Sequence, residues 1–176
     1  MRLIAIAAIG LLAACQQQPA EQAAQQPPED QTRGGTLVGN AAPPTREAAL
    51  KLMHDRHENM EDIGDATKLV SRELKKGQPD ISAIQGAAAN IATLAPQALG
   101  WFPAGTGPDV GKTEALPAIW EKPEDFATKA RDFEAAAKAF DAAAKSGDLT
   151  SINATFGDLG KSCKACHDPY RAKDKD

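Results

Sequence analysis

Apolar residues recur at spacings of three and four along most of this chain, and no two segments alternate apolar and polar residues as half-buried strands do. Alanine, a strong helix former, is abundant, whereas Val, Ile, Thr and Tyr form no runs. Hydrophobic residues make up 42% of the 176 residues, enough for one sizeable core. The sequence therefore predicts a single all-α domain.

Four amphipathic segments stand out between glycine and proline residues, at 45–77, 78–96, 123–147 and 148–170. The connection at 100–120 is rich in Gly and Pro, which predicts a long crossover without regular structure. Short connections and one long crossover, between helices 2 and 3, predict an antiparallel four-helix bundle.

Each predicted helix has an apolar stripe that should face the core. In the first helix the stripe comprises Leu50, Met53, His57, Met60, Gly64, Thr67 and Leu74. The stripes of the other three helices comprise Ile81, Ile84, Ala88 and Ile91, then Phe126, Phe133 and Phe140, and finally Ile152, Phe156, Leu159, Cys163, Cys166 and Tyr170.

The N-terminus has the layout of a secretory signal over residues 1–14, with Arg2 before an apolar stretch and small residues before Cys15. An uncleaved anchor is the alternative, although the stretch is short for a bilayer. The run LAAC resembles a bacterial lipobox, which predicts a lipid on Cys15 and a location on the periplasmic side of a membrane. Residues 15–44, rich in Gln, Pro and Ala, predict a lipidated, disordered tether, and the folded domain is expected over 45–176.

The formal net charge of −4 argues against nucleic acid as a partner. The segment 161–176 is nevertheless locally basic and suits an acidic redox partner. The alternative is that these cations only complement the dipole of a helix end.

The run CKACH at 163–167 places two thiols, Cys163 and Cys166, directly before His167. The two thiols can form thioethers with the vinyl groups of one porphyrin while the imidazole reaches its iron, and this spacing is typical of covalent haem c attachment. A thioredoxin-like pair would need a βαβ context, and a zinc site would need further nearby ligands.

Arg171, four residues after His167, either contacts the haem or complements the helix dipole.

The last segment, FGDLGKSCKACHDPYR at 156–171, resembles the final helix of the cytochrome c′ family, the class II c-type cytochromes. The runs FPAGTG at 102–107 and TEALPAIW at 113–120 resemble the crossover of that family. The resemblance covers about residues 46–173. It implies a four-helix bundle with one covalent haem c and a distal pocket lined by the first helix. It also implies a homodimer formed through the first two helices, although the Ala and Ile stripes of those helices fit an ordinary core equally well.

The resemblance also implies that the distal residue follows an arginine by four positions, which Met60 after Arg56 and Leu50 after Arg46 both satisfy. Met60 is preferred because the segment 56–64 resembles the low-spin, methionine-ligated branch of the family. Met53, or Leu50 over an open iron, are the alternatives.

Two histidines and three aromatic residues complete the candidates. His54 falls off the apolar stripe and is expected in solvent. His57 lies on the stripe and is expected as a core residue or a neighbour of a propionate, with iron ligation as the alternative. Trp101, Phe102 and Trp120 are expected either to wall the ring or simply to pack in the core.

With ligation by histidine and methionine, the expected function is one-electron transfer at the periplasmic membrane face, because the iron has no open position. No constellation of acid, base and nucleophile predicts an enzyme. A five-coordinate cytochrome c′ that binds NO or CO is the alternative, and a structural lipoprotein without haem is a third.

Overall fold

The structure, a computed structural model, describes residues 44–173. They form four long helices and one single-turn helix: α1 (Arg46–Glu73), α2 (Ile81–Leu94), α3 (Ala118–Glu121), α4 (Pro123–Ser146) and α5 (Leu149–Tyr170). Within this range no helix has the length and apolarity needed to cross a membrane. The predicted signal, Cys15 and the tether up to residue 43 lie outside the described residues.

The long helices begin and end where local chemistry dictates. Asp80 caps α2 by accepting a hydrogen bond from the Ala83 amide, at 3.1 Å. Asp148 caps α5, and its hydrogen bond with the Ser151 hydroxyl holds the pKa of the carboxyl below its usual value. Gly147 ends α4 in the left-handed region, with φ of 73°, where a side chain is strained. The predicted end of the third long helix at Gly147 and the predicted start of the fourth at Asp148 are therefore confirmed.

The core lies where α2 packs against both α1 and α4, and where α4 packs against α5. Its largest fully buried side chains are Phe140, Ile84, Ile91, Ile152, Leu159 and Val70. The predicted stripes of the last three long helices face this core or a neighbouring cluster, with Cys163 and Cys166 only half-buried. The all-α four-helix bundle is confirmed.

The stripe predicted for α1 is wrong in part. Leu50 is 39% exposed and His57 lies in solvent, whereas Arg56 is buried at 4% exposure. The buried face of α1 is instead formed by Ala49, Met53, Arg56, Ile63, Ala66, Val70 and Glu73. The error arises because an arginine was not expected on a buried face.

A 3₁₀ helix (Ala95–Trp101) extends α2 up to the start of the crossover. The crossover itself, predicted without regular structure over 100–120, contains the single turn of α3 at its end. Ala115 forms an antiparallel bridge with Arg171, in which the Leu116 amide donates to the Tyr170 carbonyl at 2.9 Å. The crossover is thereby fastened to the end of α5.

Candidate haem site

Cys163, Cys166 and His167 lie on consecutive turns near the end of α5. Both thiols are half-buried and form no disulfide, and burial raises their pKa values, to about 11 for Cys166. Reactive thiol pairs have lowered pKa values, so these two are not poised for disulfide exchange. Partial burial, helped by the charge of Arg171, lowers the pKa of His167. The lowered pKa favours the neutral imidazole, which is the form that ligates a metal.

A group of apolar side chains, here called the aromatic cluster, packs beside this end of α5. Its buried members are Phe102, Ile119, Phe126 and Tyr170. The Phe126 ring meets Phe102 and Tyr170 edge-on, with centroids 4.9 and 5.3 Å away. Half-buried residues packed against the cluster are Met60, Leu99, Trp101, Ala115, Ala118, Trp120 and Cys166. The three predicted wall residues thus lie together with Met60 and Cys166.

The helices that carry Met60 and Cys166 do not pack against each other. No Cα atom of α1 lies within 8 Å of a Cα atom of α5, although α2 and α4 hold both helices in one bundle. Packed helices have interaxial distances of about 8–10 Å, so α1 and α5 stand apart by more than ordinary packing distance. Met60 faces the aromatic cluster from one helix and Cys166 faces it from the other.

The two alternatives to Met60 point toward the crossover instead. A Cβ atom built on Gly111 would lie 2.7 Å from Leu50 Cδ2 and 3.4 Å from Met53 Cε. Met53 is buried in that contact, whereas Leu50 remains partly exposed. Among the candidate distal residues, only Met60 packs against the aromatic cluster.

The two histidines of α1 lie away from the cluster, on the exposed side of the helix. His54 Nδ1 is 3.8 Å from a carboxylate oxygen of Glu58, and His57 Nε2 is 3.5 Å from one of Glu61. The solvent position expected for His54 is confirmed, and the core position expected for His57 is wrong.

Arg56, which the sequence singled out only by its spacing from Met60, has a buried structural role that sequence reasoning missed. Its guanidinium donates to the hydroxyl and the carbonyl of Thr106, both at 3.2 Å, to the Thr113 hydroxyl at 3.0 Å and to the Trp101 carbonyl at 3.4 Å. It also lies 4.7 Å from the centroid of the Phe102 ring. Burial lowers its pKa to about 10. Its seven-residue spacing from Ile63, on the buried face, is the signal that would have placed it there.

Arg171 is held by the crossover. Its Nε atom lies 2.7 Å from a carboxylate oxygen of Glu114, and the Ala172 amide donates to the Glu114 carbonyl at 2.7 Å. Directly before it, the buried Tyr170 hydroxyl donates to Asp125 at 2.5 Å. The Arg171 side chain is 45% exposed in this ion pair, so the structure places it beside Glu114 and leaves its predicted haem contact a prediction.

Lysines around the cysteines are matched by carboxylates. Their ion pairs are Lys161–Asp158, Lys164–Asp168 and Lys129–Asp125. The basic segment expected from the sequence is therefore a surface of mixed charge.

These residues fit a haem c. Two thiols and a neutral imidazole on consecutive turns are the donor set for thioether attachment and iron ligation. Apolar side chains of the aromatic cluster pack against both Met60 of α1 and Cys166 of α5. Within residues 44–173, Arg56 forms no ion pair with a carboxylate, and a buried cation calls for a counter-charge such as a propionate.

Comparison with known sequences points the same way. The family model described as cytochrome c′ matches residues 51–171. A cytochrome c′ of Alcaligenes xylosoxydans xylosoxydans is 39% identical over 129 residues, which is 73% of this chain and 91% of that protein. A cytochrome c-556 of Agrobacterium tumefaciens is 34% identical over 115 residues, which is 65% of this chain and 91% of that protein.

Solved structures share the fold over similar lengths. One is a cytochrome c′ with ligand-controlled dimer dissociation, at a TM-score of 0.66 and 28% identity, covering 75% of this chain and 100% of that one. Another is the nitric oxide complex of a variant cytochrome c′ from Alcaligenes xylosoxidans. Its TM-score is 0.64 and its sequence identity 31%, and the match covers 75% of this chain and 100% of that one. The chain belongs to the cytochrome c′ family, whose members carry one covalently bound haem c.

Proposed function

We propose that the protein is a one-electron carrier whose haem is attached through Cys163 and Cys166, with His167 and Met60 as iron ligands. The observation that carries this proposal is the place of Met60, which packs against the same aromatic cluster as Cys166 although it comes from the helix opposite. The other candidate distal residues pack near the crossover.

When bound, haem c supplies a ferric–ferrous couple that exchanges single electrons. In this proposal His167 would hold the iron through a neutral imidazole, and Met60 would hold it through its thioether, which favours the ferrous state. The aromatic cluster would give the group an apolar surrounding. With both residues bound to iron, no position would remain for a substrate, and we expect no enzymatic activity.

Arg56 has a structural and an electrostatic part in this scheme. Its hydrogen bonds fix the crossover residues Thr106 and Thr113 against α1, one turn before Met60. Its buried positive charge suits a propionate carboxylate, and a charge-assisted hydrogen bond of that kind is stronger than a neutral one.

The absorption spectrum of the purified ferric protein tests the ligation. We expect a low-spin spectrum with a methionine-to-iron charge-transfer band. The substitution Met60→Leu should remove that band and open the ferrous iron to CO, because the two side chains have similar volumes and the fold survives. Met53→Leu is the matched control and should leave the spectrum unchanged. A high-spin ferric spectrum in the unsubstituted protein would contradict the carrier proposal.

A five-coordinate haem that binds NO or CO is the second candidate. It is favoured by the similarity to a cytochrome c′ whose nitric oxide complex has been solved. In that case Met60 would pack beside the ring without a bond to iron, and ferrous protein would bind CO without any substitution. The rate and extent of CO binding therefore separate the two functions.

We also propose that a lipid on Cys15 anchors the protein at the periplasmic face of a bacterial membrane. The support is the LAAC run and the signal-like residues before it. Mass spectrometry of the mature protein should show that it begins at Cys15 and carries a lipid there. A mature chain that still contains residues 1–14, or a Cys15 without lipid, would contradict the lipid anchor.

Redox partners would meet the mixed-charge surface around the cysteines. Because Lys161 and Lys164 already pair with carboxylates, an acidic partner gains little electrostatic steering there. We expect the rate of electron transfer to a partner to fall only modestly as ionic strength rises. A steep fall would show that a strongly charged surface elsewhere guides the encounter.

A second copy of this chain is the proposed occupant of the groove between α1 and α2. The groove is lined by Asp62, Asp65, Ala66, Leu69, Arg72, Ala83, Gly86, Ala87 and Asn90. Its small residues allow close approach of another helix, and its carboxylates and arginine can pair across a two-fold axis. Sedimentation should show a dimer that Gly86→Arg disrupts and that Ala142→Arg, on the exposed side of α4, leaves intact. A monomer in the unsubstituted protein would contradict this assignment.

A further inference from the structure

Four side chains that can ligate a metal lie on one exposed face of α1, away from the haem site. They are His54, His57, Glu58 and Glu61, at positions i, i+3, i+4 and i+7 of the helix. This spacing brings them over two successive turns on the same side. One ligand atom from each of His57, Glu58 and Glu61 lies within 4.8 Å of the others.

The distances suit a shared ion. Two ligands at about 2.1 Å from a tetrahedral metal are about 3.4 Å apart. His57 Nε2 lies 3.5 Å from Glu61 Oε1, close to that separation. His54 Nδ1 lies 3.8 Å from Glu58 Oε1 and flanks the set. Small rotations of exposed side chains therefore complete a three-ligand site, with a fourth position open to water or His54.

The charges of this set also suit a cation. On the same helix, Asp55 and Asp65 each pair with a lysine, in Lys51–Asp55 and Lys68–Asp65. In residues 44–173, the ion pairs of Glu58 and Glu61 are with the two histidines and with no lysine or arginine. One divalent ion would balance the two carboxylates.

We propose that His57, Glu58 and Glu61, assisted by His54, bind a divalent transition-metal ion of the zinc, copper or nickel class. The mixture of imidazole and carboxylate ligands favours such ions over magnesium and calcium, which prefer oxygen ligands throughout. The site lies on the outer face of the helix whose inner face carries Arg56 and Met60, so it is separate from the haem pocket.

Calorimetric titration of the haem-loaded protein with zinc chloride tests this proposal. We expect one equivalent of zinc to bind, with affinity about tenfold or more lower in His57→Gln and in Glu61→Gln, because each substitution removes a ligand. His54→Gln should weaken binding less. Zinc should also raise the melting temperature of the unsubstituted protein and have no such effect on His57→Gln.

Glu47→Gln is the matched control, since Glu47 is an exposed carboxylate two turns earlier on α1 and outside the set. It should bind zinc as the unsubstituted protein does. Circular dichroism of each variant checks that α1 stays helical. Unchanged zinc affinity in His57→Gln would overturn the proposal, as would displacement of zinc by an equal concentration of magnesium, which would reveal an unselective acidic surface.

Discussion

Arg56 donates hydrogen bonds to both the side-chain hydroxyl and the main-chain carbonyl of Thr106, fifty positions further along the chain. Thr106 is fully buried and passes the connection on by donating to the Pro103 carbonyl at 2.8 Å. The Arg56 guanidinium therefore supplies hydrogen-bond donors to crossover carbonyls that accept none from a helix or a sheet.

Replacement of Arg56 by glutamine should destabilise the protein. The shorter side chain leaves the Thr106 carbonyl and the Thr113 hydroxyl without their donor, and buried unsatisfied groups are costly. We expect the free energy of unfolding to fall by about 2–4 kcal/mol in urea denaturation. Arg131→Gln is the control, since Arg131 is exposed with one hydrogen bond to Thr128, and its effect should stay within about 0.5 kcal/mol. Equal effects of the two substitutions would contradict this role of Arg56.

Periodicity alone predicted the helices well where apolar residues define a single register. Phe126, Phe133 and Phe140 repeat at heptad spacing and all three are buried in α4. The glycine at 147 and the aspartate at 148 mark a helix end and a helix start by their own backbone and side-chain chemistry. Such local rules need no knowledge of the rest of the fold.

Contacts between residues far apart in the sequence determine the features of the fold that periodicity could not predict. Arg56 can be buried only because crossover residues distant in sequence accept its hydrogen bonds, and nothing within α1 reveals them. The ion pair of Glu114 with Arg171 could likewise not be predicted, because the two residues are 57 positions apart in the sequence. The CKACH run predicted which residues can hold a haem, whereas the packing of Met60 near them depends on the tertiary fold.

Tyr170 should titrate at unusually high pH. Burial first, and the hydrogen bond to Asp125 second, raise its pKa to about 12 from the ordinary value of 10. Because the folded pKa is the higher one, the contribution of Tyr170 to stability is complete below pH 10 and is lost as pH rises toward 12. Tyr170 is the single tyrosine of the chain, so the ultraviolet difference absorbance of its phenolate reports the titration directly.

The variant Asp125→Asn separates the two causes. It should lower the pKa of Tyr170 but keep it above 10, since burial remains. A midpoint of 10 in the unsubstituted protein would show that the phenol reaches water in solution. Glu124→Gln, on the adjacent residue, is the control and should leave the titration unchanged.

Loss of the Glu114 charge should raise the reduction potential. Burial and Arg171 together lower the pKa of His167, but the Glu114 carboxylate acts in the opposite direction by stabilising positive charge nearby, so its removal disfavours ferric iron. For Glu114→Gln we expect an increase on the order of 20–40 mV in a spectroelectrochemical titration, as for a partly screened charge. The exposed ion pair with Arg171 should contribute less than about 1 kcal/mol to stability. A potential that does not move would place Glu114 outside the electrostatic environment of the iron, and Glu124→Gln again serves as the control.

Substitution by alanine should change the free energy of unfolding in opposite directions at Gly147, just before α5, and at Gly157, inside α5. Gly147 has φ of 73°, so alanine there is strained, and we expect Gly147→Ala to lower the free energy of unfolding by about 1 kcal/mol. Gly157 lies inside α5, and a Cβ atom built on it meets nothing within 4 Å. Gly157→Ala should therefore raise the free energy of unfolding by about 0.5–1 kcal/mol, because alanine loses less backbone entropy in a helix. Urea denaturation of both variants measures the two signs, and destabilisation by Gly157→Ala would mean that the space beside that residue is filled in the haem-loaded protein.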